Sequence, residues 1–161
     1  MIIRLAEEAD VNAANEIYDL ARTYMREAGN PCQWNSVYPG KKDIKDGIAD
    51  GTSYVCVDGD EVVATFYFNI GDDPTYAEIR EGDWVNHDPY AVIHRIAVKY
   101  HGRGIVDECF DFCFNKFPNL KIDTHKDNIP MQKCLSRCGF EYCGIITTWN
   151  GEPRKAYQKV K

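Results

Sequence analysis

The stretch Ile93-His94-Arg95-Ile96-Ala97-Val98-Lys99-Tyr100-His101-Gly102-Arg103-Gly104-Ile105-Val106 decides the fold. Its first half is a run of strand formers, its middle is a turn with two glycines, and its end opens a helix whose apolar face is Val106, Cys109, Phe110, Cys113 and Phe117. A strand that feeds a glycine turn and then a helix aims free backbone N–H groups and the positive helix end at one point, which suits an anion. Gly102 and Gly104 carry no Cβ to hold a phosphate oxygen away, and His101 and Arg103 add side-chain donors. The turn is not a Walker loop, because no Gly-Lys-Ser/Thr follows. It is not a dinucleotide fingerprint either, because a third glycine is missing and no βαβ unit begins the chain. Taken alone, these residues also fit a plain strand-to-helix turn.

Downstream of the turn, Leu120 to Thr124 predicts a strand. Asn128 and Pro130 suit a helix entrance; Met131, Cys134, Leu135 and Cys138 continue that helix, and Gly139 closes it. Tyr142 to Thr148 and Arg154 to Val160, around Asn150-Gly151, predict a last hairpin. Upstream, Ile2 to Leu5 reads as a strand. From Glu8 to Ala28, Val11, Ala14, Ile17, Tyr18, Ala21, Tyr24 and Met25 recur at helical spacing, with Gly29 as the stop. A weaker helix runs from Lys42 to Ala49. Ser53 to Val57 and Val62 to Ile70 flank Asp58-Gly59, whose glycine supplies the positive φ of a tight hairpin, and Tyr90 to Val98 is the next strand. The order is strand, helix, helix, three strands, helix, strand, helix, two strands. No repeat, linker or low-complexity stretch interrupts it, so residues 1–161 are read as one domain.

The 161 residues are 44% apolar, 27% charged and 12% aromatic, the make-up of a folded domain with a sizeable core. Lys plus Arg number 19 against 25 Asp plus Glu, a net charge of -6 that argues against a nucleic-acid partner. The acidity is concentrated: Asp72, Asp73, Glu78, Glu81, Asp83 and Asp88 face Arg80 alone between positions 72 and 88, in a stretch rich in turn formers. No apolar run reaches the ~18 residues of a membrane span, and Met1-Ile2-Ile3-Arg4 lacks a signal-peptide pattern, so a cytoplasmic location and no membrane partner are expected. Seven cysteines, an odd number, argue against a disulfide framework.

The runs Ile93 to Val98, His101 to Val106, Asp123-Thr124-His125-Lys126-Asp127-Asn128 and Cys138-Gly139-Phe140 resemble the GNAT superfamily of N-acetyltransferases. The element order matches over essentially the whole chain and the specific motifs over residues 93 to 143. Two of the motifs are similar to a bacterial branch whose acceptor is undefined. The resemblance implies an α+β fold with a twisted, mostly antiparallel sheet of about seven strands, flanked by about four helices. In it the strand ending at Val98 and the strand Leu120 to Thr124, the fourth and fifth, splay into a V that admits acetyl-CoA as co-substrate. It also implies that the backbone of Ile96, Ala97 and Val98 pairs with the pantetheine amides. His101, Gly102, Arg103, Gly104, Ile105 and Val106 then hold the pyrophosphate, and Asn128, with Met131 beside it, reaches the pantetheine arm. The chain departs from the family pattern at His101, at Val106 and in a turn about two residues short. It also has Leu135 where many members place a tyrosine acid.

Acetyl transfer to an amine needs a base, an oxyanion donor and, optionally, an acid for the departing thiolate. Strict alternation puts Val92, His94, Ile96 and Val98 on one strand face, which makes His94 a candidate base; a hydrogen-bonded core histidine is the alternative. His87, Glu78, Asp83 and Asp88 are rivals. The oxyanion donor is expected among the main-chain N–H groups of Ile96 to Val98. Cys134, Tyr142 and Tyr157 are candidate acids, although a thiolate can leave without one. Asp83 and Asp88 would attract a small cationic amine, and Trp34 and Trp84 would wall its pocket; the same residues also fit a solvated loop and core packing. Cys109 with Cys113, and Cys134 with Cys138, lie at i,i+4 on apolar stripes with no Cys-x-x-Cys knuckle, so packing is expected and no metal. The expected activity is direct N-acetyl transfer within a ternary complex, with a non-catalytic acyl-CoA sensor as the competing reading. Monomer and homodimer are both compatible with the sequence.

Overall fold

The computed structural model describes residues Met1–Lys161. The elements are β1 (Ile2–Leu5), α1 (Val11–Glu27), α2 (Lys41–Asp50), β2 (Ser53–Asp58), β3 (Glu61–Ile70), β4 (Ala91–Val98), α3 (Ile105–Lys116), β5 (Asn119–Thr124), α4 (Ile129–Arg137), β6 (Glu141–Thr147) and β7 (Pro153–Val160). The first helix starts later than its periodicity suggests. Glu8–Asp10 form a 3-10 turn instead, because the Asp10 carboxylate accepts the Glu7 N–H at 2.8 Å and pairs with Arg4 at 2.7 Å. No helix is long and apolar enough to cross a membrane.

All seven strands form one sheet in the order β1-β2-β3-β4-β5-β7-β6. Every pairing is antiparallel except β4 with β5, which is parallel and short: only Ala91 with Leu120 and Val92 with Lys121 are in register. Beyond those pairs the strands part. Helices α3 and α4 cover one face of the sheet, where Ala91, Ile93, Ile96 and Val98 of β4 and Leu120 and Ile122 of β5 join Cys109, Phe110, Cys113 and Leu135 in the main core. The other face is covered by α1 and α2, and by residues 71–90 between β3 and β4.

That 71–90 segment is irregular, as the turn formers predict, but it is docked. Tyr76, Trp84 and Tyr90 form a buried cluster with Val92, Cys143, Ile146 and Ala156, and Arg80 makes an isolated antiparallel bridge to Ile145. The indole Nε1 of Trp84 donates to the Tyr76 carbonyl at 3.0 Å. Buried Gln158 accepts the Val85 N–H at 2.8 Å and donates to Asn119 and Asn86 at 2.7 and 3.0 Å. The segment is therefore tied at both its indole and its exit.

The strict alternation expected along β4 fails at one place. Tyr67 faces His94 and Thr65 faces Ala97, so Phe66 alone stands opposite both Arg95 and Ile96. This is a β-bulge, and Arg95 takes a φ of 55° within it. One extra residue reverses every later side chain. His94 stays with Val92 on the face of the acidic segment, while Ile96 and Val98 turn to the α3 face instead of sharing the face of His94.

Candidate active site

The bulge lies just past the point where β4 and β5 separate. The register shift interrupts the β3–β4 ladder at Arg95 and Ile96, and a bulge leaves its extra residue without a regular ladder partner. Beyond Val92 the β5 side of β4 has no strand partner, so the edge that carries Ile96 to Val98 is open.

His94 occupies the vertex. Its Nε2 is 2.7 Å from Asp73 Oδ2, and its Nδ1 is 3.9 Å from Asp123 Oδ2 on β5. Tyr76 donates its hydroxyl to that same Asp123 oxygen at 2.7 Å, and the rings of Tyr67 and Tyr76 stand 5.5 and 5.9 Å from the imidazole. Burial pushes the Asp73 carboxyl up. The bonds from His94 and Thr75 outweigh it and leave the group below its ordinary value. Asp73 is therefore ionised and can only accept, so Nε2 carries a hydrogen, and in the neutral imidazole the lone pair is on Nδ1. Burial and the adjacent Asp123 hold the Tyr76 phenol far above its usual range, so it remains a donor.

The sequence singles out His94 as a candidate base and offers no sign that Asp73 and Asp123 are its partners. Asp73 stands there only as part of an acidic stretch, yet Asp73-Pro74-Thr75 is a capping pattern: one carboxylate oxygen accepts from Thr75 N and Oγ1 at 2.9 and 2.7 Å, leaving the other for His94. Nothing local in the sequence marks Tyr76, and Asp123 enters only as the first residue of a family-like run.

At the mouth of the V, Gly102 and Gly104 have φ of 77° and 73°, a region that residues with a Cβ adopt at a cost. A Cβ at either glycine would meet nothing within 4 Å, so these glycines serve the turn's shape and an approach from outside. No side chain caps α3, which leaves its first-turn N–H groups open. His101 stacks on Tyr24 of α1 at 3.7 Å, and burial lowers its affinity for a proton. The Arg103 guanidinium lies 4.1 Å from the Tyr100 ring centroid. Thr124, ending β5, is fully buried with its Oγ1 unpartnered. These features fit a phosphate-bearing chain laid along the splay.

The remaining sequence candidates are spread more widely. Asn128 caps α4, accepting the Met131 N–H at 3.2 Å, and donates to Gln33 of the loop after α1 at 2.9 Å. Met131 packs at the edge of the main core. Trp34 stacks edge-on against Tyr18 at 5.6 Å and borders a cavity of about 170 Å³ with Arg22 and Met25. Trp84 is 7% exposed and belongs to the core cluster. Asp83 and Asp88 are exposed, and Asp83 lies 3.5 Å from His87. Tyr142 is half exposed on β6, 5.5 Å from Tyr157, which is buried on the α3–α4 side. Leu135 is fully buried, so its position offers no acid.

Cys109 and Cys113 are fully buried as expected. Cys134 and Cys138 are not; they sit half-exposed against Asp107 of α3, with all three ligand atoms within 4.8 Å of one another and the Arg137 guanidinium 2.6 Å from the Asp107 carboxylate. Burial, then the neighbouring Cys134 and the Asp107 carboxylate, push the Cys138 thiol up to about 12.

A larger cavity of about 1060 Å³ adjoins His94 through Asp73 and Tyr76 and is bordered by Asp72, Glu78, Asp83 and Lys121. Lys121 is 3% exposed, its Nζ lying 4.0 and 3.8 Å from the Trp84 and Tyr90 ring centroids, and burial lowers it to about 8.

A splayed parallel pair, a bulge at its vertex and an uncapped glycine turn at its mouth define an acyltransferase of the coenzyme A-dependent kind. The chain belongs to the GNAT acetyltransferase family, whose model matches residues 14–140. Among solved structures it is similar to a GNAT-family acetyltransferase from Streptococcus agalactiae 2603, at 29% identity and a TM-score of 0.90, covering 99% of this chain and 95% of that one. A GNAT-family acetyltransferase from Listeria monocytogenes 4b F2365 shares the fold at 19% identity and a TM-score of 0.71, covering 98% and 93%. So does AAC(6')-Ib, solved with parmomycin and acetyl-CoA, at 20% identity and a TM-score of 0.67, covering 99% and 92%. No curated protein matches the chain.

Proposed function

We propose that this protein transfers the acetyl group of acetyl-CoA directly to the amine of a small, cationic acceptor, both substrates being bound together, with His94 as general base. The observation that carries this reading is the 2.7 Å bond from His94 Nε2 to ionised Asp73, which leaves the Nδ1 lone pair at the vertex of the splay. Nδ1 takes the proton from the acceptor's amine. The amine nitrogen forms a bond to the thioester carbonyl carbon, and main-chain N–H groups at the Arg95–Ile96 bulge stabilise the oxyanion. Collapse re-forms the carbonyl and breaks the carbon–sulfur bond, and the thiolate leaves unassisted, in keeping with the buried Leu135. Asp73 and Asp123 stabilise the imidazolium that has formed. The carboxylates of Asp72, Glu78 and Asp83 around the adjoining cavity favour a cation there.

The test is thiol release from acetyl-CoA across a panel of small amines. Saturable turnover is expected, with cations preferred over neutral amines of the same size. A folded protein that binds coenzyme A and turns over no amine would instead be an acyl-CoA sensor. The glycine turn adds an independent check. Gly102→Val puts a branched side chain into open space at positive φ, so the KM for acetyl-CoA should rise at least about tenfold while kcat falls less. An unchanged KM would remove the turn from cofactor binding.

A further inference from the structure

Arg95 is a half-buried cation at the bulge of β4. No carboxylate forms an ion pair with it, whereas Arg4, Arg22, Arg137 and Arg154 each have one. Its Nε is buried without a hydrogen-bond partner. Its guanidinium lies 5.1 Å from the Tyr67 ring centroid, and its other polar neighbours are the hydroxyls of Tyr18 and Tyr38. Asp43 acts on it through space without an ion pair, and one Asp43 oxygen accepts the Gly40 N–H at 2.9 Å. A desolvated guanidinium is costly unless a planar anion meets its fork of donors, and a carboxylate is the natural match.

The backbone points the same way. Arg95 holds a φ of 55°, uncommon for a residue with a long side chain and costly to keep. In a regular strand, neighbours face opposite sides of the sheet. Here the bulge brings His94 and Arg95 to the same side: both flank Tyr67, with the imidazole at 5.5 Å and the guanidinium at 5.1 Å from its ring. The two ring distances, 5.5 and 5.1 Å, keep the imidazole and the guanidinium within about 11 Å of each other, a span within reach of an α-amino acid's N–C–C–O chain with a hydrogen-bond contact of about 3 Å at each end.

From this juxtaposition we infer that Arg95 binds a carboxylate of the acceptor, which is therefore an α-amino acid or a close derivative, with its amine at His94 and its carboxylate on the guanidinium. The inference rests on the proposed acetyl transfer and narrows it. A cationic side chain on such an acceptor would extend toward the acidic cavity beyond Asp73.

The test pairs acceptors that differ only in the carboxylate, an amino acid and its amide, in acetyl-CoA assays of the wild-type protein. The acid should be preferred by about 10- to 100-fold in kcat/KM, mostly through KM, and the ratio should fall to about one in Arg95→Gln. Equal use of acid and amide by the wild type, or an unchanged ratio in Arg95→Gln, overturns the inference and leaves acetyl transfer standing. The wild-type ratio decides the matter even if the variant folds poorly. Calorimetry of the same amino acid with coenzyme A-loaded protein supplies a readout free of turnover. Saturable binding lost in Arg95→Gln supports the carboxylate site even if no amine is acetylated, while absence of both binding and turnover overturns both readings.

Discussion

Replacing His94 with alanine should lower kcat for acetyl transfer by about 10²- to 10⁴-fold, the usual worth of a positioned general base, while the KM for acetyl-CoA stays within a small factor. The split follows from position: His94 stands at the vertex of the splay, away from the glycine turn at its mouth. Asp73→Asn should also be damaging, though less so. An amide offers an N–H as well as an oxygen, so it permits the tautomer with hydrogen on Nδ1 and the lone pair buried toward residue 73, with the abstracting nitrogen blocked. A drop of about tenfold or more is expected, and it should not be rescued by raising acceptor concentration. Because the Asp73 carboxyl lies below its ordinary value, the stability it contributes is complete above about pH 4 and is lost only as pH falls through that lowered value. Acid-side loss of rate near neutrality would therefore belong to a group other than Asp73. Steady-state rates of the two variants across pH check all of this, and a His94→Ala enzyme within about threefold of wild type would rule out His94 as the base.

What the sequence disclosed, and what it concealed, divides along the range of the interactions. The hairpin at Asp58-Gly59, the helix closed by Gly29 and the strand-turn-helix run through Gly102 and Gly104 are set by neighbours in the chain, and each stands where local rules put it. The family motifs then supplied the splay. Alternation along β4 failed because the bulge is a property of the β3–β4 register, in which Phe66 opposes two residues, and Arg95 is not a residue type that announces positive φ. The pairing of His94 with Asp73 spans 21 positions and depends on a cap at Asp73 that also looks like ordinary turn chemistry. Trp84 illustrates the ambiguity of an aromatic residue in a polar stretch. Its indole N–H finds a buried carbonyl and its ring covers Lys121, so the same residue can read as pocket wall or as core until its partners are known.

The acidic segment's hold on the sheet gives the largest expected effect on stability. Gly82 has a φ of 153°, and a Cβ built on it would lie 2.0 Å from the Cys143 carbonyl oxygen and 3.0 Å from its carbon. Across the contact, a Cβ on Gly144 would lie 2.6 Å from the Arg80 carbonyl oxygen. Two backbones meet here without side chains between them, sealed by the Arg80 N–H to Ile145 at 2.9 Å and its return bond at 2.8 Å. Backbone cannot swing aside as a flexible side chain can, so Gly82→Ala must lift residues 80–82 from β6. Overpacking and φ strain together predict a loss of about 2–5 kcal/mol, a fall of roughly 5–15 °C in Tm for a chain of this size. Gly51→Ala is the matched control. Its φ of 72° is also positive, but a Cβ there meets nothing within 4 Å, so only the strain of about 1 kcal/mol remains. The two variants also differ in function. Lifting residues 80–82 loosens the segment that carries Asp73 and Tyr76, so the kcat of Gly82→Ala should fall at temperatures where the protein is still folded, while that of Gly51→Ala should not. Equal melting temperatures for the two would show that close contact with β6 is not what anchors the segment. A Gly82→Ala enzyme that melts early yet keeps full kcat while folded would show that Asp73 keeps its place without the contact of residues 80–82 with β6.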